Sequence, residues 1–463
     1  MSNKTTWDKT RKFFNDIHLW GGLISGLVVL AVCLSGTIYV YNTELREAAL
    51  PKYYKAVKTG DKLSPDSLLA IAKSQIKGDV VGIKVPFAEG VTTAVLFNKP
   101  EKEKAGTAPK EKEQAAEKAV VAESKVATGN TLVSPNVVAE KPETKGDAAV
   151  KKGDKAKAAP AQGGGRRRSN QMMVNPYTGE LIGDASEEKT KTAAFMQQMF
   201  GLHRWLLLNE IEEPIFDGIE NRKLGSWISG TATLLFLLGV LSGLVIWFPK
   251  KMRAWKNGLS VRWSGSWKRI NHDLHNTLGL YTWIFLFLMS VTGPFWSFEW
   301  YREGWQKTWG TYQDPKAGKE EKPKLASTYV LGKSAMSIEE TILQVNKLLP
   351  YEGDITVNFA KDSTGTVSVT KSRVGFFAPS ASDKLTLDQY SGALLEKDIF
   401  REKSFRNRIG SSVKALHIGD VYGQFSKLLY FISCLVATSL PVTGVFIWIN
   451  KMKKKKGPRR SRA

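Results

Sequence analysis

Four apolar stretches, residues 17–41, 226–248, 276–298 and 427–449, constrain this 463-residue chain more than anything else in it. Each reaches the ~20 residues that a helix needs to cross the hydrocarbon core of a bilayer. A backbone surrounded by lipid finds no water for its N–H and C=O groups, so a single stretch crosses only as a helix. The sequence between the stretches is polar. Two long segments, 42–225 and 299–426, are therefore expected outside the bilayer.

The charge is distributed to match. Lys and Arg outnumber Asp and Glu by 67 to 44, a formal net charge of +23. The excess gathers before the first stretch (Lys4, Lys9, Arg11, Lys12), between the second and third (Lys250, Lys251, Arg253 and on to Arg269) and in the tail after residue 450. Acids such as Glu44, Glu47, Glu210, Glu212 and Glu213 flank the opposite ends. Short basic loops stay in the cytoplasm, so both termini and the middle loop are expected there and the long segments on the far side. The basic excess then reads as topology and as attraction to the anionic headgroups of the lipid bilayer. No nucleic-acid role is read from it, because no soluble segment carries a basic stripe interleaved with base-stacking aromatics. The first stretch is too long for a signal peptide and lacks a small-x-small cleavage site before Asn42, so it reads as an uncleaved anchor. Both cysteines, Cys33 and Cys434, fall inside spans, leaving the outer segments without a disulfide framework.

The chain also repeats itself. Asp16-Ile17-His18 opens the first span, followed by Gly22 and Gly36; Asp273-Leu274-His275 opens the third, followed by Gly279 and Gly293 at the same offsets. The second and fourth spans end alike, on Gly243-Leu-Val-Ile-Trp247 and Gly444-Val-Phe-Ile-Trp448. The outer segments correspond too. Residues 64–77 and 337–348 place apolar side chains near a helical period behind a Ser cap. Strand-like runs follow at 80–85 and 92–97, and at 355–359 and 366–370, with turns around Thr178-Gly179 and within 387–395. Two small α+β domains of one kind are expected. Residues 99–169 interrupt the first. They are rich in Lys, Glu, Ala, Pro and Gly, bury too little apolar surface to offset ordering entropy, and are expected to be a disordered loop.

The five histidines fall into a pattern. His18 and His275 stand at the cytoplasmic mouths of spans one and three. His203 and His417 lie on apolar segments before spans two and four, on the outer side. Each membrane face thus receives one histidine from each repeat. A lone histidine in such a place is usually bonded to a carbonyl, but ionisable groups beside spans are disfavoured unless used, and four in matched positions favour ligation. Two neutral imidazoles facing each other across an apolar gap are what a six-coordinate haem iron needs. Zinc is the rival, weakened by the lack of nearby cysteine or paired-carboxylate ligands. Arg204, beside His203, and Lys414, near His417, are candidates to neutralise haem propionates. His272 has no counterpart in the first repeat; it reads as a headgroup or loop contact, with replacement of His275 as the alternative. Trp20, Trp205, Tyr281 and Trp283 are candidate relay residues, although an interfacial aromatic belt explains tryptophans near span ends without any such role. Gly21, Gly22, Gly26, Gly239, Gly243 and Gly279 read as sites of close helix approach or as room for a porphyrin face.

Asp273-Leu-His-Asn-Thr-Leu-Gly-Leu-Tyr281, Asp16-Ile-His-Leu-Trp20, Gly201-Leu-His-Arg-Trp-Leu206 and Pro176-Tyr-Thr-Gly-Glu180 resemble the PepSY-associated transmembrane family, often described as iron-regulated membrane proteins. The resemblance covers nearly the whole chain except 99–169. It implies a membrane α-helical fold of four transmembrane helices from a tandem two-helix repeat, with two small α+β PepSY-like periplasmic domains. The boundaries are a cytoplasmic N-terminus 1–16, span 17–41, periplasmic domain 42–192, histidine-bearing linker 193–225, span 226–248, basic loop 249–275, span 276–298, periplasmic domain 299–405, histidine-bearing segment 406–426, span 427–449 and tail 450–463. It further implies an inner-membrane ferrisiderophore reductase with two haem b groups, His18 and His275 ligating the cytoplasmic one and His203 and His417 the outer one. A ferric siderophore in the periplasm would be the acceptor. The chain shows no dinucleotide or flavin signature, so the donor is expected to be membrane quinol or a cytoplasmic reductase. A quinol-linked cytochrome serving another periplasmic acceptor, and a non-redox PepSY-type regulatory protein, are the alternatives.

Overall fold

The computed structural model of the protein describes residues 6–99, 169–249, 255–256, 258–314 and 324–455. The expected disordered stretch 99–169 lies, but for its two ends, outside the described residues, as do parts of the basic N-terminus, middle loop and tail. Among the described residues four helices are long and apolar enough to cross a membrane: Thr6–Tyr39, Asn221–Trp247, Trp267–Thr292 and Gly423–Lys455. All four start before the apolar stretch that marks them. Hydropathy locates the hydrocarbon, whereas the i→i−4 ladder runs on through polar residues into the aqueous side. His18 and His275 consequently sit inside helices rather than at loop ends.

The first span packs on the second and fourth, and the third packs on the same two, closing a ring of four helices. Side-chain donors pin neighbours together. The guanidinium of Arg11 donates to the Ile246 carbonyl at 2.8 Å, Asn271 to that of Thr443 at 3.1 Å, and the Trp283 indole N–H to that of Val240 at 3.1 Å. Ile24, Leu27, Leu428, Ile432 and Leu435 face outward, where lipid lies. The third span closes on a 3₁₀ turn at Gly293–Trp296, where Pro294 cannot continue the donor ladder, and an unanticipated amphipathic helix, Glu299–Trp309, follows.

The two outer segments build one sheet. Strands β1 (Asp79–Val85), β2 (Thr93–Asn98), β3 (Asn170–Val174) and β4 (Leu181–Gly183) come from the first half. Strands β5 (Gly353–Asn358), β6 (Thr366–Arg373), β7 (Ser382–Asp388) and β8 (Leu394–Asp398) come from the second. The order is β4-β3-β2-β1-β5-β6-β7-β8, antiparallel throughout. Segments that read from sequence as separate domains thus meet at β1 and β5, where Ile83 faces Val357. Helices Pro65–Gln75 and Ile338–Leu348 share one core with the strands, through Leu68, Ala72, Ile338 and Val345 packed with Ile83, Val95, Val357 and Leu385. Each such Val, Leu or Ile side chain contributes about 1.5–3 kcal/mol by leaving water. The seam is also polar: Asp66 of the first half accepts from the backbone N–H of Ile338 at 2.9 Å and of Glu339 at 3.0 Å.

Two further helices join the sheet to the bundle. Lys191–Trp205 packs against spans one and two, and Val413–Ile418 against span three. The chain leaves the first of these through Leu206 and Leu207, both left-handed at φ 54° and 61°. Such conformations cost about 1–3 kcal/mol per non-glycine residue and persist only where the surroundings enforce them. Here Gly225 opens the way, since a Cβ on it would fall 2.1 Å from the Trp205 carbonyl oxygen.

Candidate functional site

The four repeat-matched histidines meet in two pairs. His18 and His275 lie with ring centroids 6.1 Å apart and ring planes at 90°. His203 and His417 lie with centroids also 6.1 Å apart and planes at 60°. The first pair is at the end of the bundle where the first span begins and the fourth ends, the second at the sheet end. An imidazole nitrogen sits about 1.1 Å from its ring centre and binds a first-row metal at about 2.0 Å, so two imidazoles on opposite sides of one ion put their centroids about 6.2 Å apart.

Each ring is held by its Nδ1. That of His18 donates to the Gly239 carbonyl at 2.9 Å, with Ser242 Oγ at 3.2 Å; that of His275 donates to Thr443 Oγ1 at 2.8 Å. At the sheet end, His203 donates to the Val32 carbonyl at 2.8 Å, while His417 Nδ1 lies 3.2 Å from the Met289 carbonyl and 3.0 Å from Thr292 Oγ1. An Nδ1–H fixed on an acceptor settles the tautomer and leaves Nε2 as the basic nitrogen. Among the described residues no hydrogen bond engages Nε2 of any of the four. Burial pushes His417 down to about 3, assisted by neighbouring His203, and pushes His203 below 6.5 against the pull of its Val32 bond, so this pair is neutral.

The repeated glycines lie under these rings. A Cβ on Gly36 would meet His203 at 3.0 Å, on Gly243 His18 at 3.3 Å, on Gly444 His275 at 3.5 Å and on Gly293 His417 at 3.6 Å. Their offsets were visible in the sequence, but not which ring each would carry. Beside His18 and His275 opens a largely apolar cavity of about 300 Å³, walled by Gly22, Gly26, Gly239, Gly279, Val29 and Leu286. A Cβ on Gly22 or Gly239 would meet nothing within 4 Å. Along the spans, a layer of Val240, Leu286, Ala437, Phe236, Trp283 and Phe287 separates the two pairs.

The remaining candidates divide. Arg204 lies beside the sheet-end pair with its Nε buried and without a hydrogen-bond partner. Its guanidinium is 5.4 Å from the Trp205 ring centroid, and that of Arg222 is 4.2 Å from the same centroid. Two like charges on one indole favour an anion beside them. Lys414 is exposed. His272 is half exposed at the rim of the cavity and contacts Asn276, so it is His275 that the fold brings to His18. Trp20 and Tyr281 face outward; Trp283 lines the cavity and stacks on Phe287; Trp205 is buried. Trp296, one of the tryptophans near span ends that an interfacial belt would explain, packs edge-on against His417 at 5.1 Å.

The family model described as the PepSY-associated TM region matches residues 16–451. No curated protein matches the chain.

Proposed function

The chain belongs to the family of the PepSY-associated TM region, and from that premise we propose that it is a transmembrane electron carrier holding two b-type haems, one at each histidine pair. What supports the reading is the combination found at both pairs. An edge-to-face aromatic contact also puts two centroids about 4.5–7 Å apart, but it leaves unexplained four anchored Nδ1 donors, four glycines under the rings and a cavity beside one pair. Zinc asks for three or four protein ligands, and among the described residues no three His, Cys, Asp or Glu side chains gather. A haem would ask the chain for only two imidazoles, which His18 with His275, and His203 with His417, would supply.

Held by each histidine pair, a haem would supply a one-electron Fe(III)/Fe(II) couple. The rest is the work of the chain. His18 with His275, and His203 with His417, present Nε2, while the carbonyls of Gly239, Val32 and Met289 and the hydroxyl of Thr443 hold the rings from behind. Gly22, Gly26, Gly239 and Gly279 leave room in the cavity wall. The buried Nε of Arg204, which has no hydrogen-bond partner, suits a propionate. The apolar layer between the pairs keeps water out.

On this reading the basic ends of the spans are cytoplasmic, and the sheet is a pair of fused PepSY-like domains on the periplasmic side of a bacterial inner membrane. The acceptor is a ferric siderophore. Its hard oxygen donors hold Fe(III) far better than Fe(II), so reduction releases the metal. Membrane quinol or a cytoplasmic reductase is the donor. The observation that carries the proposal is the 6.1 Å spacing repeated at two pairs from two halves. Purified protein is expected to show a reduced b-type α-band and two haems per chain. His203→Ala or His417→Ala should leave one haem, and His18→Ala or His275→Ala the other. A folded, colourless protein would overturn the assignment.

A further inference from the structure

The connection between β6 and β7 carries two exposed phenylalanines, Phe376 at 52% and Phe377 at 64% exposure. They do not stand alone. Phe376 and Phe377 contact each other at 5.0 Å, and both reach Phe425, at 6.3 and 5.2 Å. Phe425 lies in the first turn of the fourth span and opens an outward-facing stripe that continues through Leu428, Ile432 and Leu435. The aromatic tip is thus continuous with a surface that lies against lipid.

The backbone fixes the tip there. Phe425 N–H donates to the Phe376 carbonyl at 3.2 Å, and Ser380 N–H to the Asp420 carbonyl at 3.3 Å. Gly423, at φ 57°, lets the two segments touch; a Cβ on it would fall 2.6 Å from the Ala378 carbonyl oxygen. Residues 374–381, Val-Gly-Phe-Phe-Ala-Pro-Ser-Ala, contain no charge, whereas the matching β2–β3 connection of the first half spans 99–169 and contains no aromatic residue. The apolar stretch of the fourth span begins at residue 427, within a turn of Phe425, so Phe425 lies at the boundary where headgroups meet acyl chains, and exposed aromatic rings partition into that layer.

We propose that the β6–β7 connection is a membrane foot: Phe376 and Phe377 insert into the outer interfacial layer beside Phe425 and tether the sheet to the bilayer. Through Ser380 and Asp420 the foot reaches the loop three residues beyond His417, so it also steadies the sheet-end histidine pair. The occupant of the patch is phospholipid. A docked protein or a bound chelate would instead leave the rings facing water until the partner arrives.

The inference depends on the membrane spans and not on haem. A nitroxide on Phe377→Cys, in nanodiscs of phosphatidylethanolamine and phosphatidylglycerol, reads the depth. The collision ratio of oxygen to a water-soluble nickel chelate should exceed that at Lys361→Cys on the β5–β6 turn several-fold and approach that at Leu428→Cys. A ratio equal to that at position 361, or a label reached by neither reagent, would overturn the foot. Hydroxyl-radical footprinting of the unsubstituted protein in the same nanodiscs gives a second measure that needs no cysteine. Phe376 and Phe377 should oxidise several-fold more slowly than exposed Phe87, and equal rates would count against insertion.

Discussion

His203 lies over Gly36 so closely that a Cβ there would meet ring atoms Cε1 and Nδ1 at 3.0 Å, and the same Nδ1 donates to the Val32 carbonyl one turn away on the same span. The first contact sets the height of the ring above the helix and the second its rotation. His417 repeats the arrangement with Gly293 and the Met289 carbonyl. A ring held from two directions is pre-organised for a ligand.

Gly36→Ala should therefore act on one site alone. The added methyl is closer to the imidazole than most Cβ contacts, so the ring has to shift by a few tenths of an ångström against its Val32 bond. If each pair holds a haem as proposed, haem content should fall from two toward one per chain during dialysis, with the remaining signal that of the His18 and His275 site. Retention of both haems with unchanged spectra would show that the ring has room to give.

Gly22→Ala separates a haem-filled cavity from an empty one. A Cβ at this position meets nothing within 4 Å in the protein itself, and alanine in a helix is favoured over glycine by about 0.8–1 kcal/mol. The variant should express and unfold like the parent or slightly better, yet lose haem from the inner pair, because the methyl points into the space a macrocycle would occupy. Two haems per chain in this variant would mean that the cavity holds something else.

On the proposed reading, Thr443 would tune the His18 and His275 site. Its hydroxyl donates to the Ser439 carbonyl at 3.0 Å and accepts from His275 Nδ1 at 2.8 Å, which makes the imidazole a stronger donor to a ferric ion. In Thr443→Val the acceptor is gone and the shape is kept. A hydrogen bond of about 0.5–1.5 kcal/mol corresponds to an upward shift of about 20–60 mV in a one-electron couple. Potentiometric titration should show that shift in one haem and none in the other.

What the sequence made legible was whatever repeats at fixed offsets. His18 and His275 pair because they hold equivalent positions in the first and third spans, and His203 and His417 because each lies in the last turn of the short helix before a span. The roles of Gly36, Gly243, Gly293 and Gly444 were not legible, because each ring leans on a glycine of a helix other than its own, and chain offsets do not report packing between helices. The fusion at β1 and β5 was hidden for a similar reason. The alternation in Val80–Val85 declares a strand with one buried face, but any strand can be its neighbour. Helix starts ran ahead of the apolar stretches because hydropathy says nothing of a polar first turn. His272 against His275 was decided by which face of the third span turns inward, toward His18 across the ring of helices.

The seam between the sheet halves should be measurable through Asp66. Its carboxylate accepts two backbone N–H groups at the start of the helix Ile338–Leu348, which already has its own Ser337 and Glu340 capping box. Removing a carboxylate from a helix start typically costs about 0.5–2 kcal/mol. Asp66→Ala should lower the unfolding free energy of the outer sheet by that amount. Hydrogen exchange should accelerate at Ile338 and Glu339, in the half that was not mutated. Unchanged protection there would mean that the two halves are stabilised independently.

Asp388 gives the outer sheet an acid limit. Burial pushes its carboxyl up, but the backbone N–H groups of Ser391, Thr328 and Tyr390 outweigh this and hold it at about 2, below the ordinary 3.8. A carboxyl with a depressed native value binds its proton more readily when unfolded, so its contribution is complete above about pH 4 and disappears as pH falls through about 2. Asp388→Asn should therefore destabilise the sheet by about 1–3 kcal/mol at neutral pH, the penalty for weakened bonds to a buried charged acceptor. Unfolding curves of parent and variant should converge as pH approaches 2. A gap between them that stays constant from pH 7 to 2 would mean that the native carboxyl is not the species holding those three amides.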